Sequence, residues 1–117
     1  MVSFAQARAM DPNFNAREST YAWRITRDHL AGAFADIYGP WNSTDEQIEV
    51  LRHPVKNADQ LTRFRIYDDD DELYFSGYFF GDSESEDGFG PLDDYGLPDA
   101  GATRIDYLRE NGEWETL

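Results

Sequence analysis

Hydrophobic and polar residues alternate in several short stretches of the chain, and a period of two predicts strands with one buried face. In residues 20–27, Tyr21, Trp23 and Ile25 fall on one side and Ala22, Arg24 and Thr26 on the other. Residues 62–67 set Phe64 and Ile66 opposite Arg63, Arg65 and Tyr67, and residues 73–80 set Leu73, Phe75 and Phe79 opposite Tyr74, Tyr78 and Phe80. Residues 103–108 and 113–117 flank Asn111-Gly112, a dipeptide suited to a tight type I′ hairpin turn because both positions tolerate positive φ.

Helical periodicity is rarer. After Trp41-Asn42, Ser43 or Thr44 is placed to cap free backbone amides, with Glu46 or Gln47 three residues on to complete a capping box. Ile48, Leu51 and Val55 would then face inward, and His53-Pro54 would end the helix, since a residue before proline is pushed out of the helical region. Leu30, Phe34 and Ile37 also have helical spacing, but Gly32 and Gly39-Pro40 interrupt it, so residues 28–38 fit a short helix or a loop. Residues 1–10 suggest a further short helix with Phe4 and Met10 inward, ended by Asp11-Pro12-Asn13.

Five strands and one well-capped helix predict a single α+β domain over residues 1–117: an antiparallel sheet, the helix packed on one face, and long acidic loops. The opposite face would present Arg63, Arg65, Tyr67, Tyr74 and Tyr78, unless the N-terminal segment covers it. Uncovered arginine-aromatic surface of this kind suits an interface. With 117 residues, 40% of them hydrophobic, the chain is long enough to bury about two thirds of its unfolded surface.

There is no cysteine, which excludes disulfides, thiolate metal sites and thiol catalysis. The opening MVSFAQARAMDPNF lacks a charged segment followed by an apolar run, and no apolar stretch approaches the length of a membrane span. The expectation is a soluble protein of the cytoplasm, of a bacterial cell or of a host cell if phage-encoded.

Charge changes this picture most. The net charge is −14, but residues 1–60 hold eight acids and six bases while residues 61–117 hold sixteen acids and four bases. Residues 68–99 carry twelve carboxylates and no basic residue. A general solubility device would spread more evenly. Such a balance repels nucleic acid and anionic membranes and attracts basic proteins.

The acids fall in two places. Asp68, Asp69, Asp70, Asp71 and Glu72 form the turn between two strands, and Asp82, Glu84, Glu86, Asp87, Asp93, Asp94 and Asp99 lie in the long segment 81–101, which is punctuated by glycine and proline. A calcium loop beginning at Asp68 would need glycine at Leu73 and a bidentate acid at Phe79, so the pattern fails and no metal or other cofactor is expected. Asp93, Asp94 and Asp106 have apolar neighbours, yet turn and strand roles account for them, and neither His29 nor His53 has a nucleophile elbow to serve. Ser76-Gly77 lies inside a predicted strand, and Gly88-Phe89-Gly90 is followed by proline and acids that would repel a nucleotide. A non-enzymatic protein is expected.

If residues 82–86 are extended, Asp82, Glu84 and Glu86 line one edge at about 6.7 Å, close to the phosphate spacing of a nucleic-acid strand. Phe89, Leu92, Tyr95 and Leu97 would anchor the segment, and Tyr67, Tyr74, Phe89 and Tyr95 would add hydrophobic contacts for a partner. In size, acidity and lack of cysteine the chain resembles the inhibitors that phages and other mobile elements encode against host defence, including anti-CRISPR and anti-restriction DNA mimics. YAWRITRD, FRIYDDDDELYFSG and GFGPLDDYGLPDAGATRIDY are similar to a pattern recurring in small bacterial and phage proteins. The resemblance implies an acidic inhibitor occupying the nucleic-acid-binding surface of a basic protein partner, without itself binding nucleic acid or membrane. The alternative is a small interaction or assembly module that uses the aromatic sheet face, its acidity serving only solubility.

Overall fold

The computed structural model describes Gln6, Ala7, Met10 and residues 17–117. Six strands, β1 (Ala22–Asp28), β2 (Ala33–Gly39), β3 (Leu61–Tyr67), β4 (Leu73–Phe80), β5 (Arg104–Leu108) and β6 (Trp114–Thr116), form one antiparallel sheet in the order β2-β1-β4-β3-β5-β6. It is three hairpins laid side by side, joined where β1 pairs with β4 and β3 with β5. With helix α1 (Asp45–Arg52) and a helical run over residues 86–100, the class is α+β. No helix among the described residues is long and apolar enough to cross a membrane.

The sheet has one strand more than the pattern predicts. Residues 33–39 are β2, not helix or loop, because only Ala35 and Ile37, two apart, pack against the core. Leu30 and Phe34, which created the helical spacing, point to solvent, Phe34 with 86% of its surface exposed. The expected helix over residues 1–10 and its end at Asp11-Pro12-Asn13 lie largely outside the described residues; Met10, which is described, is exposed and does not face inward.

α1 starts as its sequence dictates. Thr44 Oγ1 accepts from the Gln47 amide at 3.2 Å while Gln47 Oε1 accepts from the Thr44 amide at 2.8 Å, so two amides that a helix leaves unpaired are satisfied. Leu51 is fully buried against β1 and β4, and its carbonyl accepts from Arg24 Nη1 at 3.0 Å. Val55, expected inward, is 91% exposed because the chain has left the helix at His53.

The main core lies on the other face of the sheet. Trp23, Ile25, Phe64, Ile66, Phe75, Phe79, Ile105 and Tyr107 are buried there beneath Leu92 and Ala102, with Tyr95, Ala100 and Leu117 at the margin. The long segment after β4 is therefore the second layer of the domain. It folds into a 3-10 turn (Glu86–Phe89), a wide π turn (Leu92–Gly96) and a single turn α2 (Leu97–Ala100).

Two irregularities re-aim side chains. The register slips between Ile25 and Arg27 in β1, and again where Ile66 pairs with Phe75 but Tyr67 pairs with Leu73. The second slip leaves Tyr74 as the extra residue of a bulge. Tyr74 consequently packs toward the core, while Leu73 joins the opposite face, reversing the predicted alternation at this end of β4.

Two of the three hairpin turns, β3–β4 and β5–β6, share one geometry. Arg109 N donates to Glu113 O and Gly112 N to Arg109 O, both at 2.9 Å, with Gly112 at φ +83°. Asn111 does not have positive φ, so this is a three-residue loop closed by a left-handed residue and not the expected type I′ turn. Between β3 and β4, Asp68 and Asp71 occupy the places of Arg109 and Gly112, and Asp71 takes the left-handed conformation at φ +62°.

Candidate interaction surfaces

The acidic turn is organised from within. Asp68 Oδ1 accepts from the amides of Asp70 and Glu72, each at 2.8 Å, and these bonds, the Glu72 amide first, hold its carboxyl below the ordinary carboxylate value. The Tyr74 hydroxyl also bonds Asp68, which raises the pKa of the phenol. Asp69 accepts from Thr103 Oγ1 at 2.5 Å, and Asp71 pairs with Arg104, whose Nε lies 3.2 Å from Asp106 Oδ1. Asp70 and Glu72 project into solvent.

The cover segment is pinned in the same way. Asp87 accepts from Thr20 Oγ1 at 2.7 Å, and Asp94 Oδ2 accepts both from the Tyr21 hydroxyl at 2.7 Å and from Trp23 Nε1 at 3.0 Å. Burial, reinforced by the Asp94 carboxylate, pushes the Tyr21 phenol far up in pKa. Tyr95 sits with its ring 5.1 Å from Phe75 and 5.6 Å from Trp23, and the buried Tyr107 hydroxyl donates to Gly88 O at 2.8 Å. Gly88 and Gly90 permit this closeness: a Cβ would come within 2.4 Å of Ser83 O at the first and 2.3 Å of the Tyr21 ring at the second.

The predicted site residues thus separate into two groups. Asp68, Asp69, Asp71, Asp87, Asp94, Tyr74 and Tyr95 hold the turn and cover in place, whereas Asp70, Glu72, Glu84, Glu86 and Asp93 are exposed and make no side-chain bond among the described residues. Phe89 is exposed beside them. The straight row of Asp82, Glu84 and Glu86 is not formed. Asp82 accepts through its carboxylate from Glu84 N and through its carbonyl from Ser85 N, making a turn that leads into the 3-10 segment. Among the described residues no three acids or histidines gather as a metal-ligating group.

The other face of the sheet carries arginines. Register places Arg27 of β1 and Arg65 of β3 on either side of Ser76 in β4, and Arg24 and Arg63 on either side of Tyr78. Arg27, Arg63 and Arg65, with His29, Ser76 and Tyr78, line a cleft of about 230 Å³. His29 Nε2 lies 3.0 Å from Ser76 Oγ, and burial, then the charges of Arg27 and Arg65, keep the imidazole below its ordinary pKa of 6.5. Beside it runs a groove of about 600 Å³ lined by Pro54, Val55, Leu61, Leu108 and the shared Arg63 and Tyr78. The sequence pattern places Arg63, Arg65 and Tyr78 together, but on the face opposite the helix; α1 instead packs at the Arg24 end of their own face, because the segment after β4 covers the other one. Arg27 and His29 are absent from the pattern because the β1 bulge, invisible to strict alternation, brings them there.

No family model, curated protein or solved structure matches this chain.

Proposed function

We propose that the protein is a non-enzymatic, cytoplasmic inhibitor whose acidic side occupies a basic, nucleic-acid-binding surface of a partner protein, in the manner of anti-CRISPR or anti-restriction proteins. The observation that carries this reading is the anchoring of the exposed carboxylates. Asp70 and Glu72 stand on a turn closed by Asp68, and Glu84, Glu86 and Asp93 on a cover fastened through Asp87 and Asp94. Charge held at set positions gives up less conformational entropy on binding than charge on a free tail, and it gives the partner's lysines and arginines a defined pattern to meet.

The test begins with capture of binding proteins from the source cell, or from its host, at low and high salt. A variant with Asp70, Glu72, Glu84 and Glu86 all changed to lysine removes exposed charge and leaves the anchoring acids intact. It should keep its circular dichroism spectrum and lose the captured partner, whose binding to the native protein should weaken steeply with salt. Undiminished affinity in this variant rules the reading out.

A second reading rests on the open face, where Phe34 and Val55 are strongly exposed and arginines lie over aromatic rings. In that case the protein is an interaction or assembly module. Its binding would then tolerate both salt and the fourfold charge reversal, and would be lost on Tyr78→Ala.

A further inference from the structure

We propose that the open face of the sheet binds the phosphate group of a small molecule, held by Arg27, Arg63 and Arg65 around Ser76. The site is separate from the acidic side. Arg27 and Arg65 stand opposite the same serine from neighbouring strands, at strand spacings of about 4.8 Å, so both guanidinium groups can reach an anion seated over its hydroxyl. Arg63 enters the cleft from the next row, and His29 Nε2 and Ser76 Oγ complete its polar lining.

Two features equip these arginines, the first shared with Arg24, Arg104 and Arg109, which also lie over rings, and the second their own. Each lies over a ring: Arg27 over Phe34 at 5.1 Å, Arg65 over Trp114 at 4.1 Å and Arg63 over the same indole at 5.9 Å. A ring beneath the guanidinium plane steadies it and leaves the in-plane N–H donors available for bidentate bonds to an oxyanion. None of the three has a carboxylate partner among the described residues, whereas Arg24, Arg104 and Arg109 are all ion-paired. This occurs in a chain with 24 acids to ten lysines and arginines, where partners are abundant. The nearest acid by register, Asp106 opposite Arg65, is engaged by Thr116 Oγ1 at 2.6 Å and by Arg104.

Burial depresses His29 most, and a local positive field adds to it: Arg27 and Arg65 both disfavour its proton, opposed by Asp28. A phosphate dianion would reverse that field. The whole molecule nevertheless carries −14, so a nucleic-acid strand is repelled along its length while a small anion meets chiefly the cleft, within about a Debye length of 8–10 Å. The adjoining groove, which shares Arg63 and Tyr78 with the cleft, offers apolar and aromatic surface to whatever the phosphate is attached to. The ligand class is therefore a phosphate monoester with an apolar or planar body.

The experiment is an NMR titration of the full chain with inorganic phosphate, adenosine monophosphate and a thymidine oligonucleotide. Arginine Nε signals of Arg27, Arg63 and Arg65 and the ring of His29 should shift saturably with phosphate and at lower concentration with the monophosphate, and the His29 titration midpoint should rise. Arg65→Gln should weaken monophosphate binding about tenfold or more, the loss expected for a charge-assisted bond, while Arg52→Gln on α1 leaves it unchanged. If Arg65→Gln does not fold, Arg27→Gln, at an exposed side chain, carries the same expectation. Absence of saturable shifts at these residues, equal weakening by Arg52→Gln, or tighter binding of the oligonucleotide than of the monophosphate overturns the proposal.

Discussion

One face of the sheet is built from Trp23, Phe64, Phe75, Phe79 and Tyr107 beneath an acidic cover; the other, one residue out of phase along the same strands, holds Arg24 against α1 and leaves Arg63, Arg65 and Tyr78 beside the helix. Strand parity alone separates them. On the covered side several carboxylates serve as internal acceptors, fastening turn and cover to hydroxyls, an indole and an arginine. On the open side three arginines have no acid partner among the described residues, in a molecule dominated by acids. Charge density along a sequence is thus a poor guide to free charge: much of the densest acidic stretch is committed to the fold, while the sparse basic residues of β1 and β3 remain available.

The largest test of this asymmetry is truncation on each side. Phe79→Ala, in the sealed core, should cost about 3–5 kcal/mol in urea unfolding, whereas Trp114→Ala, whose ring supports Arg63 and Arg65 on the open side, should cost only about 1 kcal/mol. Next in size is a contrast between adjacent acids of the cover. Asp94→Ala leaves the hydroxyl of Tyr21 and the indole of the buried Trp23 without their acceptor and should cost about 2 kcal/mol, while Asp93→Ala should change stability by less than about 0.5 kcal/mol. Equal losses would mean that the cover's acids do not divide into anchoring and free groups.

The smallest effect is on pH dependence. His29 has a folded-state pKa below the ordinary 6.5, so the unfolded chain takes up a proton first. Its contribution to stability is complete above 6.5 and is lost as pH falls toward the folded value. Urea midpoints measured across that interval should decline less steeply in His29→Gln than in the native chain. An unchanged slope would remove the depression that burial and the charges of Arg27 and Arg65 together give His29.

What the sequence made legible was local. Thr44 and Gln47 announce α1 because a capping box lies within one turn, and Phe64, Ile66, Phe75 and Phe79 announce their strands because alternation needs only neighbours. The misses required distant information. β2 is a strand because it pairs with β1, although Leu30, Phe34 and Ile37 are spaced as on a helix. Tyr74 changes side because of a bulge that only the β3–β4 register defines, and Asp71 takes a left-handed turn position that Gly112 fills in the other hairpin. The free acids could not be distinguished from the anchoring ones, since the partners of Asp87 and Asp94 lie near residue 20. The pairing of His29 with Ser76, 47 residues apart, was hidden for the same reason.

The cover segment also sets how this protein is able to diverge. Gly88, Gly90, Pro91, Leu92, Asp94, Tyr95 and Gly96 meet the sheet or pack closely above it, whereas Glu84, Glu86, Asp93 and Leu97 look outward and answer only to whatever lies outside. Drift under a changing partner would rewrite the second set and spare the first. A distant relative should accordingly be recognisable by the spacing glycine, any, glycine, proline, leucine, any, aspartate, tyrosine, glycine, even after its acidity has gone.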